Sequence, residues 1–294
     1  MELTQLKYFI KLSEMLNFTE ASKALFITQS TLSLSIKQLE DELGIPLFDR
    51  IGKRTYLTEA GKAFAESARK AVSEVDTGAQ HLKEMRGIYT GKLRIGVTYS
   101  LCSVLNDCIL RFVHQYPDAQ LSIYYSPSVN LLAEMVADDQ LDFALTYRPE
   151  KLSSLLDFSE LFESPLCAIV QQHHSLAARK TITLDELQLF PIAFLSQGIH
   201  TRVVVERMLQ LNKVILKPKI EINDVSLILQ MVQTGHWITI LAKSVITRHA
   251  DLIAIPLLAK TVTMCGCLLR VKGKYQSILE TQFYFLVKDC FSGQ

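Results

Sequence analysis

Gln29, Ser30, Thr31, Ser33, Leu34 and Lys37 gather short hydrogen-bonding groups, one aliphatic side chain and one base within nine residues of chain. A carboxamide such as Gln29 can bond an adenine edge bidentately, hydroxyls pair with several bases, and Leu34 can touch a thymine methyl. This is the chemistry of reading base edges in a groove about 12 Å wide, and it makes or breaks no bonds. To enter a groove the groups must share one face of a rigid rod. Leu32, Ile36, Leu39 and Leu43, at 4-3-4 spacing, supply the buried stripe of such a helix on its other side. A helix meant only for water would carry more Glu and Lys.

The element before it is expected to begin at Thr19 as N-cap, with Ala21, Ala24 and Leu25 as its apolar stripe. Small alanines let two helices cross closely, as a helix-turn-helix requires. Thr28 or Ser30 can cap the second helix, whose dipole then points its positive end at phosphates and sets Gln29, Ser30 and Thr31 where base edges are read. On this segment alone an ordinary helical hairpin with a polar outer face competes. The residues beyond Leu43 favour DNA: Gly44 stops the helix, Leu47 and Phe48 return to the core, and Arg50, Gly52, Lys53 and Arg54 form a basic loop before Tyr56-Leu57. That is the composition of a wing, a turn between two brief strands holding cations against the duplex backbone or minor groove. Yet Lys7, Lys11, Lys23, Lys37, Arg50, Lys53 and Arg54 are matched by Glu2, Glu14, Glu20, Glu40, Asp41, Glu42 and Asp49. Affinity must therefore come from charge gathered on one face and from two copies on one duplex.

These residues make the chain resemble the LysR-type transcriptional regulators. The resemblance runs from the L-x-x-L-x-Y-F-x-x-L opening (Met1 to Leu12) through A-S-x-A-L, T-Q-S-T-L-S-x-x-I-x-x-L-E-x-E-L-G-x-x-L-F-x-R and L-T-E-A-G. In layout it covers the whole chain. Ser30 stands where proline is usual in the family and Leu34 where arginine is usual, which suggests an altered operator preference.

Residues 58–86 carry a heptad seam of Phe64, Ala68, Ala71, Val75, Gly78, Leu82 and Met85, with Thr58 able to cap its start and Gly87 its end. The helix would be roughly 43 Å long, with little of its own chain to cover it, so dimerisation is the expected use. The resemblance implies the same: paired linker helices that space two DNA-binding domains.

From Lys92 the period changes to short strands alternating with helices. Strands are expected at Leu93–Val97, Leu121–Tyr124, Asp142–Thr146, Ile192–Leu195, about 218–222, Ile238–Leu241 and about 261–270. Helices are expected near 102–115, 129–138, Arg202–Leu211, 224–234 and from about 275, with a crossover near 160–170. The fold expected is α/β: an all-α N-terminal winged helix-turn-helix, a long linker helix and a two-lobed effector domain resembling periplasmic binding proteins. The domains would be 1–58, 59–88 and 89–294, with lobe I about 89–162 and 267–294 and lobe II about 163–266.

Strand ends and helix N-termini converge on the cleft between such lobes. Thr98, Tyr99 and Ser100 follow the first strand, Ser126 and Ser128 the second, and Ser196, Gln197 and His200 the matching strand of lobe II. Arg202 or Arg148 would balance an acidic group on a small anionic effector. For each serine, simple helix capping is an equal reading. Trp237, where the family often has glycine, would narrow the cleft or wall it.

The chain has 294 residues, 49% of them hydrophobic, and a net charge of +1, enough for a small DNA-binding module plus a larger two-lobed domain. It shows neither a secretory signal nor an apolar run of the ~20 residues a membrane span needs, so a cytoplasmic location and no membrane partner are expected. Cys102, Cys108, Cys167, Cys265, Cys267 and Cys290 have no disulfide-framework spacing, and the histidines include no H-x-x-x-H pair. Reduced core cysteines, no metal and no cofactor are the expectation. With no nucleophile elbow, phosphate loop or dinucleotide fingerprint, an enzyme is not expected. A solute-binding protein would have no use for residues 1–58. A thiol redox switch at Cys102, near a helix start at the cleft, is the rival to metabolite sensing. The resemblance implies double-stranded DNA, a small effector, a second or further copies of the chain and RNA polymerase as partners.

Overall fold

A computed structural model describes the chain apart from residues 52–53, 88, 150, 261–262 and 293–294, and without the side chains of Arg50, Ile51, 102–104 and Ser292. It divides into two compact units, the first built on Met1–Ile88 and the second on Tyr89–Ala137 and Leu141–Gln294.

The first unit runs α1 (Leu3–Met15), α2 (Phe18–Ala24), α3 (Gln29–Leu43), β1 (Phe48–Ile51), β2 (Arg54–Leu57) and α4 (Glu59–Met85). Its core gathers Leu6, Phe9 and Leu12 of α1 with Phe18, Ala21, Leu32, Ile36, Leu39, Leu47, Phe48, Ala65 and Ala68. Phe9 meets both Phe48 and Phe64, at 5.4 and 5.2 Å between ring centres, so one aromatic on α1 fixes the hairpin and the long helix together. Three local expectations need correction. The cap of α2 is Asn17, whose side chain accepts from the Thr19 and Glu20 amides; Thr19 lies inside the helix. Ala24 is exposed, and the small residues buried on α2 are Ala21 and Ser22. Leu43 is also exposed, because α3 outruns the core there; Gly44 then ends the helix at φ 70°.

Thr58 starts α4. Its hydroxyl accepts from the Gly61 amide and donates to the Pro46 carbonyl, while its own amide donates to Leu47. Gly61 packs so tightly on the Leu47 carbonyl that a Cβ has no room. The heptad seam divides in two. Ala68 is buried and Phe64 half-buried in the unit's own core, whereas Ala71, Val75, Gly78, Leu82 and Met85 are exposed.

The second unit contains β3 (Gly91–Val97), α5 (Cys102–Gln115), β4 (Ala119–Tyr125), α6 (Val129–Ala137), β5 (Phe143–Tyr147), β6 (Leu156–Gln171), α7 (Leu184–Leu187) and β7 (Ala193–Leu195). It continues through α8 (His200–Asn212), β8 (Ile220–Ile222), α9 (Val225–Gln233), β9 (Thr239–Ala242), β10 (Leu252–Pro256), β11 (Thr263–Val271) and α10 (Ile278–Ser292). The mixed sheet has the order β10-β6-β11-β5-β3-β4, with β9 also on β6. The expected crossover near 160–170 is a single 16-residue strand, β6. Leu156–Pro165 pairs with β11, and the chain beyond pairs with β9 and β10, so one strand belongs to both lobes. Parallel pairing of β3 with β4 and β5, and of β7 with β8, aligns the strand ends from which helices start. β10 and the one-turn α7 are additions to the elements expected from sequence.

Candidate functional site

In the first unit Thr28 organises the head of α3. Its hydroxyl accepts from the Thr31 amide at 3.1 Å and lies 2.8 Å from both the Ser30 and Thr31 hydroxyls. The three hydroxyls therefore form one linked cluster at the positive end of a helix. The Thr19 hydroxyl donates to Gln29 Oε1 at 3.3 Å and steadies the carboxamide, whose oxygen keeps a second lone pair for a base. Gln29, Ser30, Thr31, Leu34 and Lys37 are exposed and Ser33 is half-buried, while Leu32, Ile36 and Leu39 fill the core. Glu40 turns back to accept from the Leu47 and Phe48 amides, tying α3 to the hairpin. In that hairpin Ile51 pairs with Arg54 and Arg50 with Thr55. Arg50 and Arg54 thus stand on the strands, not in the loop, with Arg54 exposed. Lys53 and the Arg50 side chain lie outside the described residues.

In the second unit a narrow cavity, open to solvent, lies between the lobes. Thr98, Tyr99, Ser100, Pro127 and Tyr147 line it from one lobe, and Ile199, His200, Thr201, Asn223 and Val225 from the other. Tyr147, at the end of β5, stacks on His200 at the start of α8 (centroids 5.9 Å, planes 19° apart), and its hydroxyl lies 3.5 Å from that of Ser244. Burial pushes the Tyr147 phenol above its usual range, against the hydrogen bonds from Ser244 and Ser100, which leaves it a neutral donor. Tyr99 stacks on Tyr125 to form an aromatic shoulder. α5 and α8 both begin without a side-chain cap, since their cap positions hold Leu101 and Ile199. α5 runs on directly from a tight turn at Tyr99–Leu101, in which the Leu101 amide donates to the Thr98 carbonyl.

Of the sequence-derived ligand residues, Thr98, Tyr99, Ser100 and His200 line this cavity; the others do not. Ser128 caps α6 by accepting from the Leu131 amide, and the Ser126 hydroxyl accepts from the Ser128 amide, so both serines serve local turns. The Ser196 amide donates to Ile222 across the lobe II strands, and Gln197 is exposed. Arg148 points elsewhere: it is half-exposed, 3.6 Å from Glu160, with its guanidinium over Phe158. Arg202 is buried beneath α8, donating to the Leu195 carbonyl, Glu206 and Glu221 and lying over Phe194. Its charge is already matched by two carboxylates. Trp237 meets His236 and is not a cavity residue. The Cys102 side chain lies outside the described residues. Tyr147, Thr201 and Asn223 were missed in the sequence, although Tyr147 and Asn223 follow the same rule that found Thr98, since each sits where a strand gives way to a loop.

A winged helix-turn-helix unit in one chain with a two-lobed α/β unit around a cleft defines a DNA-binding regulator with an effector-binding domain, not an enzyme. The model of the bacterial regulatory helix-turn-helix protein, lysR family, matches residues 3–62, and that of the LysR substrate binding domain matches residues 86–289. The chain belongs to the LysR family of transcriptional regulators. It is 30% identical over 241 residues to the HTH-type transcriptional activator CmpR of Synechocystis, covering 82% of this chain and 78% of that one. It is 32% identical over 242 residues to the uncharacterized HTH-type regulator YwqM of Bacillus subtilis, covering 82% of each. Among solved structures it resembles a full-length OxyR of Pseudomonas aeruginosa (TM-score 0.75, 22% identity, 99% of this chain and 94% of that one). It also resembles full-length CbnR complexed with its target DNA (TM-score 0.67, 21% identity, 99% and 100%). Among the described residues no helix is long and apolar enough to cross a membrane.

Proposed function

We propose that this regulator senses a small anionic metabolite in the cleft lined by Thr98, Ser100, Tyr147, His200, Thr201 and Asn223. The observation that carries the reading is that two helical starts, the Tyr99–Leu101 turn leading into α5 and the first turn of α8, line one cavity. Helix N-termini favour a carboxylate or similar anion, and Tyr147 adds a neutral donor. In the same reading residues 1–58 bind promoter DNA through Gln29, Ser30, Thr31, Ser33, Leu34, Lys37, Arg50, Lys53 and Arg54, and residues 59–88 pair two subunits. The exposed stripe of Ala71, Val75, Gly78, Leu82 and Met85 supports the pairing, because a bare apolar seam on a long helix is best covered by its own copy. Effector then shifts a two-state arrangement of subunits and so the spacing of the DNA-binding pairs.

A thermal-shift screen of small organic acids tests the ligand class. Binders should raise the unfolding temperature in wild type and fail to do so in Thr201→Val or Ser100→Ala; a set of neutral or cationic binders alone refutes the anion assignment. For DNA, Gln29→Ala should change which base is preferred at one operator position. Arg54→Ala should weaken every duplex alike and lower the salt slope by about one. Equal loss on all sequences for Gln29→Ala removes it from direct readout.

A further inference from the structure

Cys108 lies in α5 and Cys290 in the last turn of α10, with their Sγ atoms 3.4 Å apart. One step along the same seam Phe112 meets Phe283 at 5.2 Å, so the two helices are held in register by aromatic packing on one side of the sulfurs. A disulfide needs about 2.04 Å, and a closure of roughly 1.4 Å is within the reach of side-chain rotation on two packed helices. The two thiols are unequal. Cys108 is fully buried, whereas Cys290 is half-buried.

We propose that Cys108 and Cys290 are a reversible dithiol site, oxidised to an intrachain disulfide by exchange with a low-molecular-weight disulfide. The Cys290 thiolate attacks one sulfur of the small disulfide, breaking its S–S bond and releasing the first small thiol. The mixed disulfide on Cys290 then faces Cys108, which gives up its proton and attacks Cys290 Sγ, expelling the second small thiol. Two protein thiols are oxidised, one small disulfide is reduced, and both protons leave on the released thiols. Burial holds the Cys108 thiol protonated until this second step, and the nearby Arg111 cation favours its thiolate when it reacts. The bond joins residues 182 positions apart and ties the C-terminal helix to the helix that follows the cleft-lining turn at Tyr99–Leu101. This site is separate from the cleft and does not depend on what the cleft binds.

The test uses full-length protein, purified under reductant, desalted, and incubated at neutral pH with oxidised glutathione. After quenching with iodoacetamide and digestion without reductant, mass spectrometry should find Cys108 joined to Cys290 as the dominant linkage, reversed by dithiothreitol. Cys290→Ser should abolish the linkage and leave no other in its place. Glutathione retained on Cys290 with Cys108 still a thiol, a Cys265–Cys267 linkage instead, or no oxidation at all overturns the proposal. The wild-type map alone decides, so a poorly folding variant does not weaken the test.

Discussion

Replacing Arg202 separates a structural arginine from a ligand-binding one. Its side chain is 8% exposed, and its three hydrogen bonds, at 2.8 to 3.0 Å, run to Glu206, the Leu195 carbonyl and Glu221. Breaking a buried ion pair costs about 3–5 kcal/mol when the orphaned partner stays buried. Here the two glutamates are 40% and 41% exposed, so water takes over much of their solvation and the upper part of that range does not apply. Loss of the contact over Phe194 adds about 0.5–1 kcal/mol to the cost. Arg202→Ala should therefore destabilise the second unit by about 3 kcal/mol. For a unit of this size that corresponds to roughly 6–12 °C in the unfolding midpoint. Arg202→Lys, which keeps the charge but loses the planar fork, should fall between. Circular-dichroism melts and urea titrations measure both. If Arg202→Ala melts within a degree of wild type while effector affinity drops tenfold or more, the arginine belongs to the ligand and the reasoning fails.

Leu82→Glu places a charge on the exposed half of the α4 seam; because Leu82 is 64% exposed, the fold should survive while subunit association weakens at least tenfold by sedimentation. Phe26 ends α2 at φ 56° with 95% exposure, so Phe26→Gly should stabilise the first unit by about 0.5–1 kcal/mol, read by denaturant unfolding; no gain would mean that the ring packs on something. Burial, then the Asp142 charge, pushes the Glu280 carboxyl from 4.5 to about 7. The folded value is the higher one, so its contribution is complete below about pH 4.5 and lost as pH rises through 7. Glu280→Gln should remove that slope and, at pH 8, gain on the order of 2 kcal/mol over wild type; parallel curves for the two proteins would contradict it.

Much of the fold was legible because its signals are local. Leu32, Ile36 and Leu39 repeat with the helical period, Thr28 and Thr58 precede their helices by the capping distance, and the strands at Leu93–Val97 and Ile192–Leu195 stand out as short apolar runs. Each is a property of a dozen consecutive residues, and the structure only confirms where they fall. The cap at Asn17 was equally local but was lost to a competing hydroxyl two residues on.

Other features depended on chain far away. Leu43 continues the stripe of Leu39, yet only the reach of the core decides that one is buried and the other exposed. Phe64 and Leu82 share one heptad seam, and the presence of Phe9 over the first makes it core. Ser100 and Ser128 look alike beside helix starts; the first faces the cavity and the second caps α6. Arg202 looked like a ligand residue until Glu221, on a separate strand, came to lie against it. Sequence alone determined that this chain carries a helix-turn-helix, a strand hairpin behind it and an α/β domain of two lobes, because periodicity and capping act over a few residues. Tertiary structure decided which polar side chains face the cleft and which neutralise one another, because burial and Coulomb pairing act through space between elements that the linear order keeps apart.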